Sequence, residues 1–132
     1  PRRARYAKHL SSKPRTLQET LVAACRTIAL HEEDAGLAGQ ISARSDSPGC
    51  YWTLKFGLGF EEATSDDFVE ADKDLNTTSG NGMANPATRF HLWIYAARPD
   101  VNSIAHTHSP LGSALAAAGK PLIPCQMDMT PL

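Results

Sequence analysis

An α/β domain, a mixed sheet with helices on its faces, is predicted by three features of this 132-residue sequence. The stretch 17–34 carries apolar residues at helical spacing. Residues 39–71 break into short β-type runs separated by turn clusters. From Asn85 onward the pattern becomes helix, strand, helix, strand, which places helices against a shared sheet. The length fits one domain or part of one, large enough to bury a core.

Each element has a local reason. Residues 1–15 form an N-terminal arm containing Arg2, Arg3, Arg5, Lys8, Lys13 and Arg15, and the domain proper is assigned to 16–132. Thr16-Leu17-Gln18-Glu19 is a capping-box pattern: the threonine hydroxyl and the glutamate three residues on each satisfy a free backbone donor. Leu17, Leu21, Cys25, Ile28 and Ala29 then form the apolar face of a helix over 17–34 that ends near Gly36. Gly39 to Arg44 reads as a turn into a short strand, Ser45 to Gly49 as a turn, and Tyr51 to Leu54 as a second strand. Phe56 to Phe60 is a glycine-punctuated loop. Thr64 to Asp67 leads into a strand at Phe68 to Ala71, and the polar stretch Lys73–Asn81 reads as a hairpin tip. Asn85 as cap and Pro86 at the first position open a helix whose core face is assigned to Phe90, Trp93, Ile94 and Ala97, and Arg98-Pro99-Asp100 stops it. A strand over 102–108, a helix over 110–118 opened by Ser109 and Pro110, and a strand near 121–126 complete the chain.

Composition narrows the function. Hydrophobic residues make up 42% and charged residues 20%, and the formal net charge is −1. Those values are ordinary for a soluble globular domain and give no electrostatic case for nucleic acid or an anionic membrane. Cys25, Cys50 and Cys125 are odd in number and widely spaced, which fits reduced thiols in a cytoplasmic protein. No apolar run reaches the ~18–20 residues needed to span a bilayer. The chain opens without Met and stops at Thr130-Pro131-Leu132 after an apolar stretch, the expectation for a fragment.

His106-Thr107-His108 carries the most chemistry. Side chains alternate along a strand, so the two histidines project from one face with Cα atoms ~6.5–7 Å apart. Two imidazoles at that distance can share a metal ion at Zn–N distances of about 2.0–2.1 Å. Ile104 lies on the same face, so the run reads as a buried strand whose end opens into a polar site at the turn into a helix, where open α/β sheets place ligands.

Phe90-His91, Tyr95, Arg98-Pro99-Asp100-Val101, Ala105-His106-Thr107-His108-Ser109 and Gly119-Lys120-Pro121-Leu122, in that order, resemble the class II aldolase/adducin head family. Gly39-Gln40-Ile41-Ser42-Ala43-Arg44 and Thr64-Ser65-Asp66-Asp67-Phe68-Val69 resemble two further family segments, and the likeness covers roughly residues 17–128. The resemblance implies a three-layer α/β/α fold around a mixed, mainly antiparallel sheet. It implies a divalent metal (zinc, with manganese or iron as alternatives) held by His106, His108 and a third histidine beyond Leu132. It also implies a homotetramer with sites at subunit interfaces, acting on a small molecule.

The departures from the family pattern shape the expected reaction. The glutamate that ligates the metal and moves protons in the sugar-phosphate aldolases falls here on Ala87, and two serines of its motif fall on Asn85 and Pro86. Gln40 stands in place of a phosphate-loop asparagine, and Leu54-Lys55-Phe56-Gly57 lacks the hydroxyls of a second phosphate segment. A phosphate needs several converging donors. The expected substrate is therefore non-phosphorylated, a carboxylate or aromatic acid bound near Gln40, Ser42 and Gly57, with Trp52, Phe56 and Phe60 as aromatic company. Candidate proton donors are His91 and Asp128, while His9 and His31 carry no motif. Three functions remain open: a metal-dependent lyase of aldolase or decarboxylase type, a mononuclear non-haem iron oxygenase, and an adducin-like interaction module without catalysis.

Overall fold

Helix α1 (Leu17–Leu30) begins where the capping box predicts: Thr16 Oγ1 accepts from the Glu19 N–H at 3.2 Å, and the Glu19 carboxylate accepts from the Thr16 N–H at 2.7 Å. The computed structural model describes residues 15–31, 36–121 and 123. The arm before Arg15, residues 32–35 and the strand expected near 121–126, with Cys125 and Asp128, lie outside or almost outside them.

Five strands follow: β1 (Gln40–Arg44), β2 (Tyr51–Leu54), β3 (Phe68–Ala71), β4 (Thr77–Ser79) and β5 (Ser103–His106). Helix α2 (Arg89–Ala97) precedes β5, and helix α3 (Pro110–Ala117) follows it. The sheet order is β4-β3-β2-β1-β5, antiparallel at every described pairing. The expected mainly antiparallel sheet is thus met without a parallel pair among the described residues.

Strand alternation sorts side chains to two faces. Ile41, Ala43, Leu54 and Phe68 turn to one face and pack with Leu21 and Cys25 of α1, closed by Phe60 and Ala63. Burial pushes the Cys25 thiol up to about 12, so it packs as a small apolar residue. On the opposite face Tyr51 stacks on Tyr95 of α2 at 4.6 Å, beside Leu92, Val101 and Ile104. Arg44 fixes the end of that helix: its guanidinium lies 4.7 Å over the Tyr95 ring and donates to the carbonyls of Tyr95 and Val101, both at 2.8 Å. One helix on each face of the sheet gives the three layers.

Three sequence expectations change. Helix α2 turns inward with His91, Leu92 and Tyr95, whereas Trp93 is 67% exposed and Ile94 is exposed. Asn85 caps a 3₁₀ turn at Pro86–Thr88 that leads into the helix and buries Thr88 on the same inner side. Apolarity ranks Trp and Ile above His and Tyr, but the buried hydroxyl of Ser42 rewards the polar pair. Second, the polar stretch expected as a hairpin tip contains β4. The turn is confined to 72–76, held by the Asp72 carboxylate accepting from the N–H groups of Asp74 and Asn76 at 2.8 and 2.9 Å. Third, β5 is an edge strand among the described residues, alternately exposed and half-buried rather than enclosed.

Candidate metal centre

The histidine pair sits where β5 ends. Antiparallel pairing sets His106 directly opposite Gln40 and Ile104 opposite Ser42, so all four belong to the α2 side of the sheet. The strand stops at His106, and Ser109 caps α3, accepting from the Gly112 N–H at 3.4 Å with Pro110 in the first position. The connection leaves the two imidazoles side by side. Their Nε2 atoms are 3.0 Å apart, and the rings stack with centroids 4.7 Å apart at 16°. Burial, then the neighbouring His108, lowers the pKa of His106 and favours its neutral, ligating form.

Two Zn–N bonds of about 2.0–2.1 Å at a tetrahedral angle span about 3.3 Å, so a small opening of the pair admits one cation. Among the described residues no third His, Cys, Asp or Glu joins them. Ala87 lies on the exposed side of the 3₁₀ turn and offers no donor. The donor set fits a divalent metal in part: two imidazole nitrogens that could hold one lie together, and no third donor joins them among the described residues.

Phe90 walls the pair. Its ring is edge-on to His106 (centroids 5.0 Å, 63°) and to His91 (4.5 Å, 81°). His91 is fully buried, with Nδ1 2.7 Å from Ser42 Oγ, which lies 2.9 Å from Tyr95 Oη. Burial first, and His106 second, hold the His91 pKa down to about 4. Its ring is therefore neutral near pH 7 and interior. Ser42, expected to face substrate, is likewise fully buried, with its hydroxyl engaged by these two partners.

Beside the pair, Gly39, Gln40, Lys55, Leu58, Asn85 and Thr88 line a crevice too narrow for a water-sized sphere. A Cβ on Gly39 would come within 2.8 Å of the Phe60 ring, which is why the chain enters β1 on a glycine. Lys55 is committed to Asp67 at 2.6 Å, and that bond, with one from Thr64, lowers the Asp67 pKa. The Gln40 amide donates to the Ala38 carbonyl. Gly57 sits at φ +93° in the loop above, next to Phe56, which is 57% exposed. Of the three aromatic residues expected near substrate, Phe56 alone is exposed: Phe60 is core, and Trp52 packs against the α1 side. His31 is exposed at the end of α1, and Asp128 and His9 lie outside the described residues.

Sequence reasoning located the pair but missed Phe90 as its wall and Tyr95 as the partner of Ser42. The signal was available for Gln40 and Ser42, two residues apart on one strand face. No local pattern announces which helix residue covers them.

A family model described as Class II Aldolase and Adducin N-terminal domain matches residues 19–131. Methylthioribulose-1-phosphate dehydratase of Cronobacter sakazakii is 29% identical over 102 residues, covering 77% of this chain and 50% of that protein. Decarboxylase NovR of Streptomyces niveus is 33% identical over 99 residues, covering 73% of this chain and 37% of that protein. Among solved structures, L-fuculose 1-phosphate aldolase from Glaciozyma antarctica PI12 matches with a TM-score of 0.76 at 32% identity, covering 83% of this chain and 51% of that one. The chain spans about half or less of the length of these relatives. With the His-x-His strand, the two-faced sheet and this family match together, the chain belongs to the class II aldolase and adducin N-terminal domain family.

Proposed function

We propose that this chain contributes two metal ligands, His106 and His108, to a divalent-metal-dependent lyase. The enzyme cleaves a C–C bond next to a carbonyl or carboxylate of a small, non-phosphorylated substrate. The observation that carries the reading is the convergence of the two Nε2 atoms at 3.0 Å, at a strand end walled by Phe90. Zinc, or manganese or iron in its place, supplies Lewis-acid polarisation of the carbonyl when bound. The remaining work belongs to the chain. Phe90 shields one side of the pair, and Ala87 leaves open the position that a glutamate fills in sugar-phosphate aldolases. Decarboxylation needs an electron sink more than an initial base, so it tolerates alanine there better than aldol cleavage does. His91, held neutral by burial, is poorly suited to shuttle protons near pH 7. Asp128 is the other proton-donor candidate.

The pairing of Lys55 with Asp67 supports a non-phosphorylated substrate, because it commits the lysine nearest Gln40 to a carboxylate instead of a phosphate. The names of the dehydratase and the fuculose aldolase carry a phosphate, whereas that of NovR does not, and the missing donors align this chain with the latter. The reading includes a cytoplasmic homotetramer with Gln40 and Gly57 near the substrate. No described helix is long and apolar enough to cross a membrane.

The test is metal analysis of the purified full-length protein and of His106→Ala and His108→Ala. Stoichiometric divalent metal is expected in the parent and lost from both variants, with the circular dichroism spectrum unchanged. Full metal content in both variants sinks the reading. Turnover that continues without oxygen is expected of the lyase, and strict dependence on oxygen would assign the iron oxygenase instead.

A further inference from the structure

Three polar side chains are sealed beneath the histidine pair. Ser42 and His91 have no solvent exposure and Tyr95 has 2%, and they touch through Ser42 Oγ at 2.7 Å to His91 Nδ1 and 2.9 Å to Tyr95 Oη. The protons can run in two directions, and counting decides between them. If His91 Nδ1–H donates to Ser42 and Ser42 donates to Tyr95, the phenol proton has no acceptor among the described residues. The His91 Nε2 lone pair is then orphaned as well. If Tyr95 donates to Ser42 and Ser42 donates to His91 Nδ1, both hydroxyl protons and the Nδ1 lone pair are satisfied. Only His91 Nε2 is then left without a partner, and Nε2 is the one buried side-chain polar atom without a partner among the described residues. Each buried unpaired polar group costs about 1–3 kcal/mol, so the second arrangement is favoured.

Phe90 extends the chain of contacts. Its ring lies edge-on to both His91 and His106, so the imidazole nearest the cation position rests on an aromatic ring that rests on His91. At the far end, Ile104, two residues before His106 on β5, packs against the cluster that holds Tyr95.

We infer that Tyr95, Ser42 and His91 form a directed hydrogen-bond chain that fixes His91 as its Nε2–H tautomer and, through Phe90, sets the orientation of the His106 imidazole. This makes all three positioning residues rather than proton carriers, and it removes His91 and Ser42 from contact with substrate. The inference rests on the reading of His106 as a metal ligand only for its consequence, not for its geometry. Supporting partners of metal-bound histidines commonly contribute 10–100-fold in metal affinity.

The experiment is long-range proton–nitrogen NMR on metal-free, ¹⁵N-histidine-labelled protein, with Ser42→Ala and Tyr95→Phe beside the parent. The parent is expected to show His91 protonated at Nε2 and nuclear Overhauser contacts between the Phe90 and His106 rings. Both variants are expected to mix the two tautomers, to weaken those contacts and to bind zinc 10–100-fold more weakly. A parent His91 protonated at Nδ1 overturns the inference, as does a wild-type tautomer and ring contact in both variants. If Ser42→Ala does not fold, Tyr95→Phe, which deletes one oxygen, gives the same readout. If the parent binds no cation, the metal reading fails, while the tautomer and the Phe90–His106 contact still decide this inference.

Discussion

The interior of this sheet and its β5 edge are built differently. Around β1, β2 and β3, every residue of Phe68–Ala71 is buried, and α1 covers one face with Leu21 and Cys25. Around β5, burial alternates with exposure, and α3 has no buried residue, with Leu111 85% exposed. Helix α3 carries no charge along Pro110–Ala117, so its exposure is not that of a solvated helix face. The chemistry-bearing residues, His106 and His108, lie on the lightly packed side. The contrast separates what holds the fold from where the proposed ligands lie: the packed strands supply rigidity, and the open edge leaves the two imidazoles accessible.

The largest expected effect breaks the packed interior. Phe60→Ala removes a ring that fills the α1-side core and abuts Gly39, and should cost about 3–5 kcal/mol. Leu111→Ala on exposed α3 should stay within about 0.5 kcal/mol. Urea unfolding of the two variants checks this, and equal losses would erase the distinction drawn between interior and edge.

Acid sharpens the comparison from the buried side of the site. Burial and His106 hold His91 near 4, whereas an unfolded imidazole takes its proton near 6.5. Between those values the unfolded chain binds more protons than the folded one. The stability is therefore complete above about pH 6.5 and is lost as pH falls toward 4, by up to about 3 kcal/mol. Urea midpoints of the metal-free protein at pH 7 and 4.5 should differ accordingly, and His91→Gln should flatten the difference. An unchanged pH slope in that variant would place the titration elsewhere.

The smallest effect concerns the crevice. Lys55–Asp67 is partly exposed, with side-chain exposures of 31% and 17%, and Asp67→Asn should cost about 0.2–1 kcal/mol. The same change frees the partly exposed Lys55 ammonium, so inorganic phosphate should bind at that surface more tightly in the variant than in the parent, as calorimetry would read. Equal phosphate binding would mean that Asp67 is not what keeps Lys55 from holding an anion.

Much of the fold was legible because its signals are local. The Thr16–Glu19 box, Asn85-Pro86 and Ser109-Pro110 each satisfy backbone donors within one turn; the first and last start their helices as read, and Asn85-Pro86 starts a 3₁₀ turn that leads into the helix at Arg89. The alternation that puts His106 and His108 on one face is equally local. The inner face of α2 was not legible, because the polar partner that His91 and Tyr95 meet there, Ser42, lies on β1, 49 positions from His91. Nor was the short β4, whose Thr77, Thr78 and Ser79 read as turn residues and gain strand geometry only by pairing with β3.

By itself, then, the sequence determined the order of the helices and of four of the five strands, the helix caps and a pair of imidazoles aimed from one strand, since each depends on residues within a few positions of one another. Tertiary structure decided that Gln40 faces His106, that Ser42 serves His91 instead of a ligand, and that Lys55 is spent on Asp67. Those outcomes depend on partners 12 to 66 positions apart, brought together by cross-strand register and helix phase, which no short stretch of sequence encodes.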